Sequence, residues 1–201
     1  MTNVNIAVEG IIDTSIAKRL LEHVGLVVGK VYGERGKGYI LKSLSNFNCA
    51  AHFAPWFVVV DLDNDTVCAS QSVGLWLPKS DHETGMCFRI AVRQVEAWIM
   101  ADTERLASFL SISASKLPSY PDQEANAKET LIKTARTSKD KRIREDMVAR
   151  KDLKEGPGYA LQMIMFIEDY WRPDEAVKHS ESLRRCINAL HTLKSWNKTD
   201  L

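Results

Sequence analysis

The sequence predicts an α/β fold: a mostly parallel central sheet flanked by helices, followed by a C-terminal helical extension. Three observations carry that expectation. Short β-branched runs alternate with segments of helical periodicity through the first hundred residues, which implies parallel strands joined by right-handed crossovers. One run, Phe57-Val58-Val59-Val60, is apolar at every position, as in a strand buried on both faces. Beyond about residue 103 the strand-like runs stop, and helices and loops take over.

The elements follow in order. Residues 5–8 form a first strand that ends in Glu9-Gly10. Thr14 or Ser15 can cap a helix whose apolar positions Ala17, Leu20, Leu21 and Val24 fall at i, i+3, i+4 and i+7. Residues 26–32 are a second strand closed by Gly33, and Gly33-Glu34-Arg35-Gly36-Lys37-Gly38 is a loop. A helix over 39–53 stops before Pro55. The buried strand 57–60 ends in Asp61-Leu62-Asp63-Asn64-Asp65, and a helix runs from there to Leu77, with Pro78 as its stop. A fourth strand over 87–92 leads into a helix over 95–101. In the second half, Pro118 and Pro121 bracket a turn, and helices are expected over 125–137, 139–150, 159–171 and 182–193, with Gly156-Pro157-Gly158 as a break. The division expected is a core of 1–102 and a helical extension of 103–201 packed on it.

Composition bounds the function. With 201 residues, of which 45% are hydrophobic and 26% charged, the chain can bury a core and is neither disordered nor fibrous. Its 27 basic and 26 acidic residues exclude a polybasic protein whose whole surface binds nucleic acid, though not a local basic stripe. The start of the chain lacks the basic-then-apolar pattern of a signal peptide, and the longest apolar stretches are far too short to span a bilayer. Cys49, Cys68, Cys87 and Cys186 contain no C-x-x-C pair, so buried thiols are expected rather than a zinc ribbon or a disulfide frame. The expected location is cytoplasmic, with no membrane partner.

The main functional signal is where the acidic residues fall. Glu9 follows strand one, Asp61 and Asp63 follow strand three, and Glu96 comes just beyond strand four. In an open parallel sheet those carboxyl ends share one edge, the edge that binds ligands. Asp61 and Asp63 are two apart on an extended segment, so their carboxylates face the same way and can share a cation. A hard divalent ion such as magnesium takes such oxygen ligands. The plainer reading of Asp61, Asp63 and Asp65 is a loop that caps the next helix. A haloacid-dehalogenase-type phosphatase would carry its aspartate pair on the first strand, with a threonine two after the second aspartate; here Asp65 stands at that position and Thr66 one residue late.

Val8-Glu9-Gly10 and Val58-Val59-Val60-Asp61-Leu62-Asp63 resemble the signature of the Toprim domain, the Rossmann-like metal-binding domain of topoisomerases, bacterial primases and nucleases of the overcoming-lysogenization-defect type. The sequence is more closely similar to small Toprim-like proteins of unknown function that are often encoded beside ATPases in phage-defence loci. Their helix after strand four reads similarly to the segment from Arg89 to Asp102, with its Arg93-x-x-Glu96-x-Trp98 pattern. The resemblance covers residues 1–102. It implies that Glu9 is a metal ligand or general acid/base, that Asp61 and Asp63 are metal ligands, that Asp13 is the second acidic residue of the nuclease branch, and that Glu96 is its late carboxylate. Gln94 sits where some members have serine. A late lysine is also implied, with Lys128 and Lys151 both open as candidates.

The activity so implied is phosphodiester cleavage of DNA or RNA with Mg2+ or Mn2+, in a phage-defence effector that acts with an ABC- or AAA-type ATPase. The chain is too short to include the tyrosine-bearing domain of a topoisomerase, and it lacks the zinc module of a primase. The alternative is a non-catalytic or regulatory subunit of an ATPase complex. Expected partners are nucleic acid, the ATPase and a second copy of the chain. Residues 128–154 hold ten Lys and Arg against five Asp and Glu, a local +5. There Arg136, Lys139, Lys141, Arg142 and Arg144 can follow a phosphate backbone, or form a solvated helix face. Lys37 lies in the glycine loop, which departs from a P-loop because Val31 stands at the first glycine and Gly38 at the hydroxyl position. Lys37 is a further candidate for phosphate contact. Trp98, Trp171 and the Met163/Phe166 stripe read as core.

Overall fold

A computed structural model of the chain describes residues 2–63, 69–77, 82–152 and 154–196, with side chains for all of these except 69 and 70. Cys68, Asp65, Thr66 and the expected helix stop at Pro78 lie outside the described residues. The fold is α/β, as the alternation of runs implies. Strands β1 (Asn3–Val8), β2 (Val27–Gly33), β3 (Trp56–Asp61) and β4 (Met86–Ala91) form one sheet in the order β2-β1-β3-β4, and each neighbouring pair is parallel. Helix α1 (Ile11–His23) connects β1 to β2, α2 (Lys37–Ala51) connects β2 to β3, and α3 (Ala69–Trp76) precedes β4.

The chain divides into two compact units: residues up to Ala91 with the stretch from Arg184 onward, and Val92 to Leu183. This differs from the expected division at residue 102, because the sheet ends at β4 and the segment after it belongs with later helices. Helix α4 (Glu96–Met100) carries Trp98, fully buried, whose indole N–H donates to Ser182 Oγ at 2.6 Å; its carbonyl accepts from the Trp171 indole at 3.2 Å. The last helix of the second half also contributes Cys186 to the first unit, where it lies within electrostatic reach of Cys87 and Arg89 on β4.

In the first unit β3 is buried from Trp56 to Val60, which accounts for its unbroken apolar run. β1 is buried at Val4 and from Ile6 to Val8. α1 starts earlier than expected, at Ile11 with Gly10 as its N-cap; Thr14 and Ser15 are buried inside the helix instead of capping it. The Thr14 hydroxyl donates to the Glu34 carboxylate at 2.7 Å, tying α1 to the loop after β2. That loop is held to the end of β1 by backbone bonds, Glu34 N–H to the Val8 carbonyl and Gly36 N–H to the Glu9 carbonyl, both 2.9 Å. Gly33 makes the close approach possible. It has φ +99°, and a Cβ there would run into the Val8 carbonyl oxygen and lie 2.7 Å from Ile40 Cδ1.

In the second unit, α5 (Thr103–Phe109), α6 (Ala127–Ala135), α7 (Lys141–Met147), α8 (Tyr159–Asp169) and α9 (Pro173–Ala176) follow α4, and α10 (Glu181–Thr192) begins there. The expected core side chains Trp98, Met163, Phe166 and Trp171 are fully buried. α7 is much shorter than 139–150, because Val148 leaves the helix to pair with Glu155 in an antiparallel bridge. The expected capped start near residue 182 is present: Ser180 Oγ accepts from Leu183 N–H at 3.1 Å, and Asp122 accepts from Ser182 N–H at 2.9 Å. The described cysteines are free; Cys87 and Cys186 are buried, whereas Cys49 is exposed. No helix among the described residues is long and apolar enough to cross a membrane.

Gly33→Ala combines a disfavoured backbone conformation with a steric collision and should cost about 2 kcal/mol or more of unfolding free energy. Urea denaturation checks this, and an unchanged midpoint would contradict the close approach described for Gly33 and Val8.

Candidate functional site

The strand order makes one place on the sheet special. The chain moves from β1 outward to β2, then crosses back to β3 on the other side, so the winding reverses between β1 and β3. A crevice opens at the carboxyl ends of strands at such a reversal. Glu9 immediately follows β1, Asp61 is the last residue of β3, and the two strands pair directly from Asn5↔Trp56 to Ala7↔Val58. The adjacency required for Glu9 and Asp61 to meet, across 52 positions of sequence, is therefore present.

Glu9 Oε1 accepts the Asp61 backbone N–H at 2.7 Å. Its carboxylate also accepts the backbone N–H of Lys37, the first residue of α2. Gly36, the N-cap of α2, has no capping side chain, so Glu9 provides an acceptor for an otherwise unpaired helix-terminal donor. Burial pushes the Glu9 carboxyl above its ordinary value of 4.5, and nearby Asp63 adds to that; the Asp61 N–H, the Lys37 ammonium and the Lys37 N–H pull it back.

Asp63 follows the strand in a left-handed conformation, φ 51°, that aspartate tolerates better than most residues. Its Oδ2 lies 3.2 Å from Lys37 Nζ, and the same ammonium donates to the Leu62 carbonyl at 3.2 Å and sits 5.3 Å from the centre of the Trp76 ring. The Lys37 side chain is only 14% exposed. A cation in the first turn of a helix opposes the helix dipole by roughly 0.3–1 kcal/mol, so its position is explained by the acidic groups it faces. Lys37 is thus part of the acidic cluster, not of an exposed phosphate-binding surface. The sequence contained a hint of this, a lysine directly after the glycine that opens a helix.

The other candidates lie elsewhere. Asp13 is in the first turn of α1, where a negative charge is favoured, with its Oδ2 against the backbone of Gly10. Glu96 and Lys128 belong to the second unit. There Glu96 is 4% exposed; its Oε1 accepts the Tyr159 hydroxyl at 3.0 Å and lies 4.0 Å from Lys128 Nζ. Lys128 pairs more closely with Glu155, at 2.5 Å, and lies over the Tyr159 ring; its backbone N–H donates to Gln94 Oε1. Burial raises the Glu96 carboxyl, opposed first by Lys128 and then by Tyr159. Lys151 is exposed. Of the basic segment, Arg136, Lys139, Lys141 and Arg142 are exposed, with Lys141 3.7 Å from Glu145. Arg144 instead folds back to donate to the Ser138 carbonyl.

The donors at the β1/β3 edge, carboxylates and the Leu62 carbonyl, are the hard oxygens that Mg2+ or Mn2+ takes. Among the described residues, however, no three acidic, histidine or cysteine side chains are gathered closely enough to hold an ion. The cation found in the cluster is the Lys37 ammonium. No family model, curated protein or solved structure matches the chain.

The Glu96 site gives a pH prediction. A carboxyl whose folded value is raised holds its proton more tightly in the folded chain than in the unfolded one, so its contribution to stability falls as pH rises above about 4.5. Glu96→Gln keeps an acceptor for Tyr159 and removes the buried charge. It should be more stable than wild type at neutral pH, by a margin that widens from pH 5 to pH 8 and vanishes below 4.5. Denaturant unfolding across that range checks it, and a less stable variant at pH 8 would mean that the Lys128 pairing outweighs burial.

Proposed function

We propose that the chain is a Toprim-like nuclease that cleaves phosphodiester bonds with Mg2+ or Mn2+ at the carboxyl edge of β1 and β3. The observation that carries this reading is the meeting of Glu9 and Asp61 at the reversal point of the sheet, with Asp63 two residues on and Lys37 between the carboxylates. Glu9, Asp61 and Asp63 would hold the ion, and a bound divalent ion supplies Lewis acidity toward a phosphoryl oxygen. Glu9, with its raised carboxyl, is suited to hold or release a proton near neutrality. The Lys37 ammonium offers positive charge to a phosphate. The exposed Arg136, Lys139, Lys141 and Arg142 support nucleic acid, DNA or RNA, as the polyanion. An ATPase partner, a second copy of the chain and a role in phage defence belong to the same proposal, on the resemblance alone.

A second reading, a non-catalytic subunit of an ATPase complex, is favoured by one observation. Glu9 is engaged by two backbone N–H groups and by Lys37, as a purely structural carboxylate would be.

One experiment separates the readings. Purified chain is incubated with plasmid, single-stranded DNA and total RNA, with Mg2+ or Mn2+, beside Asp61→Ala and Glu9→Ala. The nuclease reading expects metal-dependent cleavage that either substitution lowers by roughly a hundredfold or more. Absence of cleavage with the ATPase both present and absent, or equal cleavage by the variants, supports the non-catalytic reading.

A further inference from the structure

The first turn of a helix repels a cation, yet Lys37 is held there with its charge against the acidic edge. Its Nζ is 3.2 Å from both Asp63 Oδ2 and the Leu62 carbonyl oxygen, it lies over the Trp76 ring, and it lowers the Glu9 carboxyl through space. Those two oxygens are also of the type a divalent ion uses. An ammonium and an ion therefore compete for the same acceptors.

We propose that Lys37 is the resident cation of this cluster, and that a divalent ion binds by displacing Lys37 Nζ from Asp63 and the Leu62 carbonyl. The inference rests on the metal reading above and adds what sets the affinity. Without metal, the ammonium offsets the mutual repulsion of Glu9, Asp61 and Asp63, which explains how the edge stays assembled although no metal-holding group of three is formed among the described residues. With metal, the ion takes over that role. Lysine and ion are alternatives for one task, so the lysine acts as a tethered competitor that weakens binding. Coulombic repulsion between a unit charge and a divalent ion a few ångströms apart is large even at a partly solvated site.

The test is a Mn2+ titration of the full chain, followed by the electron paramagnetic resonance signal of free Mn2+, with thermal unfolding in parallel. Lys37→Met keeps the apolar stem over Trp76 and removes the charge. It should bind Mn2+ at least about tenfold more tightly than wild type. Lys37→Arg, which keeps the charge, should stay near the wild-type affinity. Without metal, Lys37→Met should unfold at a lower temperature than wild type, and saturating Mn2+ should raise its Tm by more than it raises that of wild type. Lys37→Gln is read by the same criteria if the methionine variant does not fold. Equal or weaker Mn2+ binding by a folded, uncharged variant overturns this inference and leaves the metal reading standing. No binding by wild type or variant, or binding that Asp61→Ala leaves untouched, overturns the metal reading and this inference with it.

Discussion

Three like charges brought to one edge of a parallel sheet must be offset, and in this protein an ammonium group does so. The order β2-β1-β3-β4 places the ends of β1 and β3 side by side, and the residues at those ends are Glu9 and Asp61, with Asp63 just beyond. Lys37 answers them from the start of α2. Its placement depends in turn on the loop after β2, which closes onto β1 only because Gly33 can approach the Val8 carbonyl and Gly36 can open the helix at φ +79°. Glu9 completes the arrangement by accepting one N–H from the end of β3 and another from the start of α2. Backbone geometry and charge thus fix the same four side chains.

The second unit handles buried charge differently. Glu96 is surrounded by Tyr159, Lys128 and, through Lys128, Glu155, while Asp102 is 1% exposed and takes two bonds from the Arg172 guanidinium and one from its backbone N–H. Each carboxylate has its own cation on a neighbouring element. Asp102 also accepts from Arg105 N–H at the start of α5, so it caps a helix and anchors Arg172 at once. These are the features of a packed helical body with polar contacts satisfied inside it, and they give Glu96 a complete local environment.

Much of this could be read from the sequence. Alternating apolar runs gave the four strands and their parallel pairing, and the unbroken run 57–60 marked the most buried strand. The meeting of Glu9 with Asp61 followed from the same reasoning. Three things were not legible. The role of Lys37 depends on how the glycine loop closes, which is set by contacts with β1 that lie far away in sequence. The early start of α1 at Ile11 reflects a backbone N-cap at Gly10, whereas the hydroxyl residues that suggested a later start are used inside the helix. Glu96 lies one turn past the end of β4 and so read as part of the sheet edge, yet the contacts of α4 assign it to the helical unit. Periodicity also overextended α7, because the bridge between Val148 and Glu155 leaves no trace in local pattern.

The central claim is that Lys37 and the carboxylates of the β1/β3 edge act as one electrostatic unit. A double-mutant cycle of Lys37→Met and Asp63→Asn, measured by urea denaturation of the metal-free chain at neutral pH and low salt, tests it most directly. The account predicts that the two substitutions are coupled, by roughly 1 kcal/mol, with the coupling shrinking as salt is added. Effects that add within about 0.3 kcal/mol would contradict it.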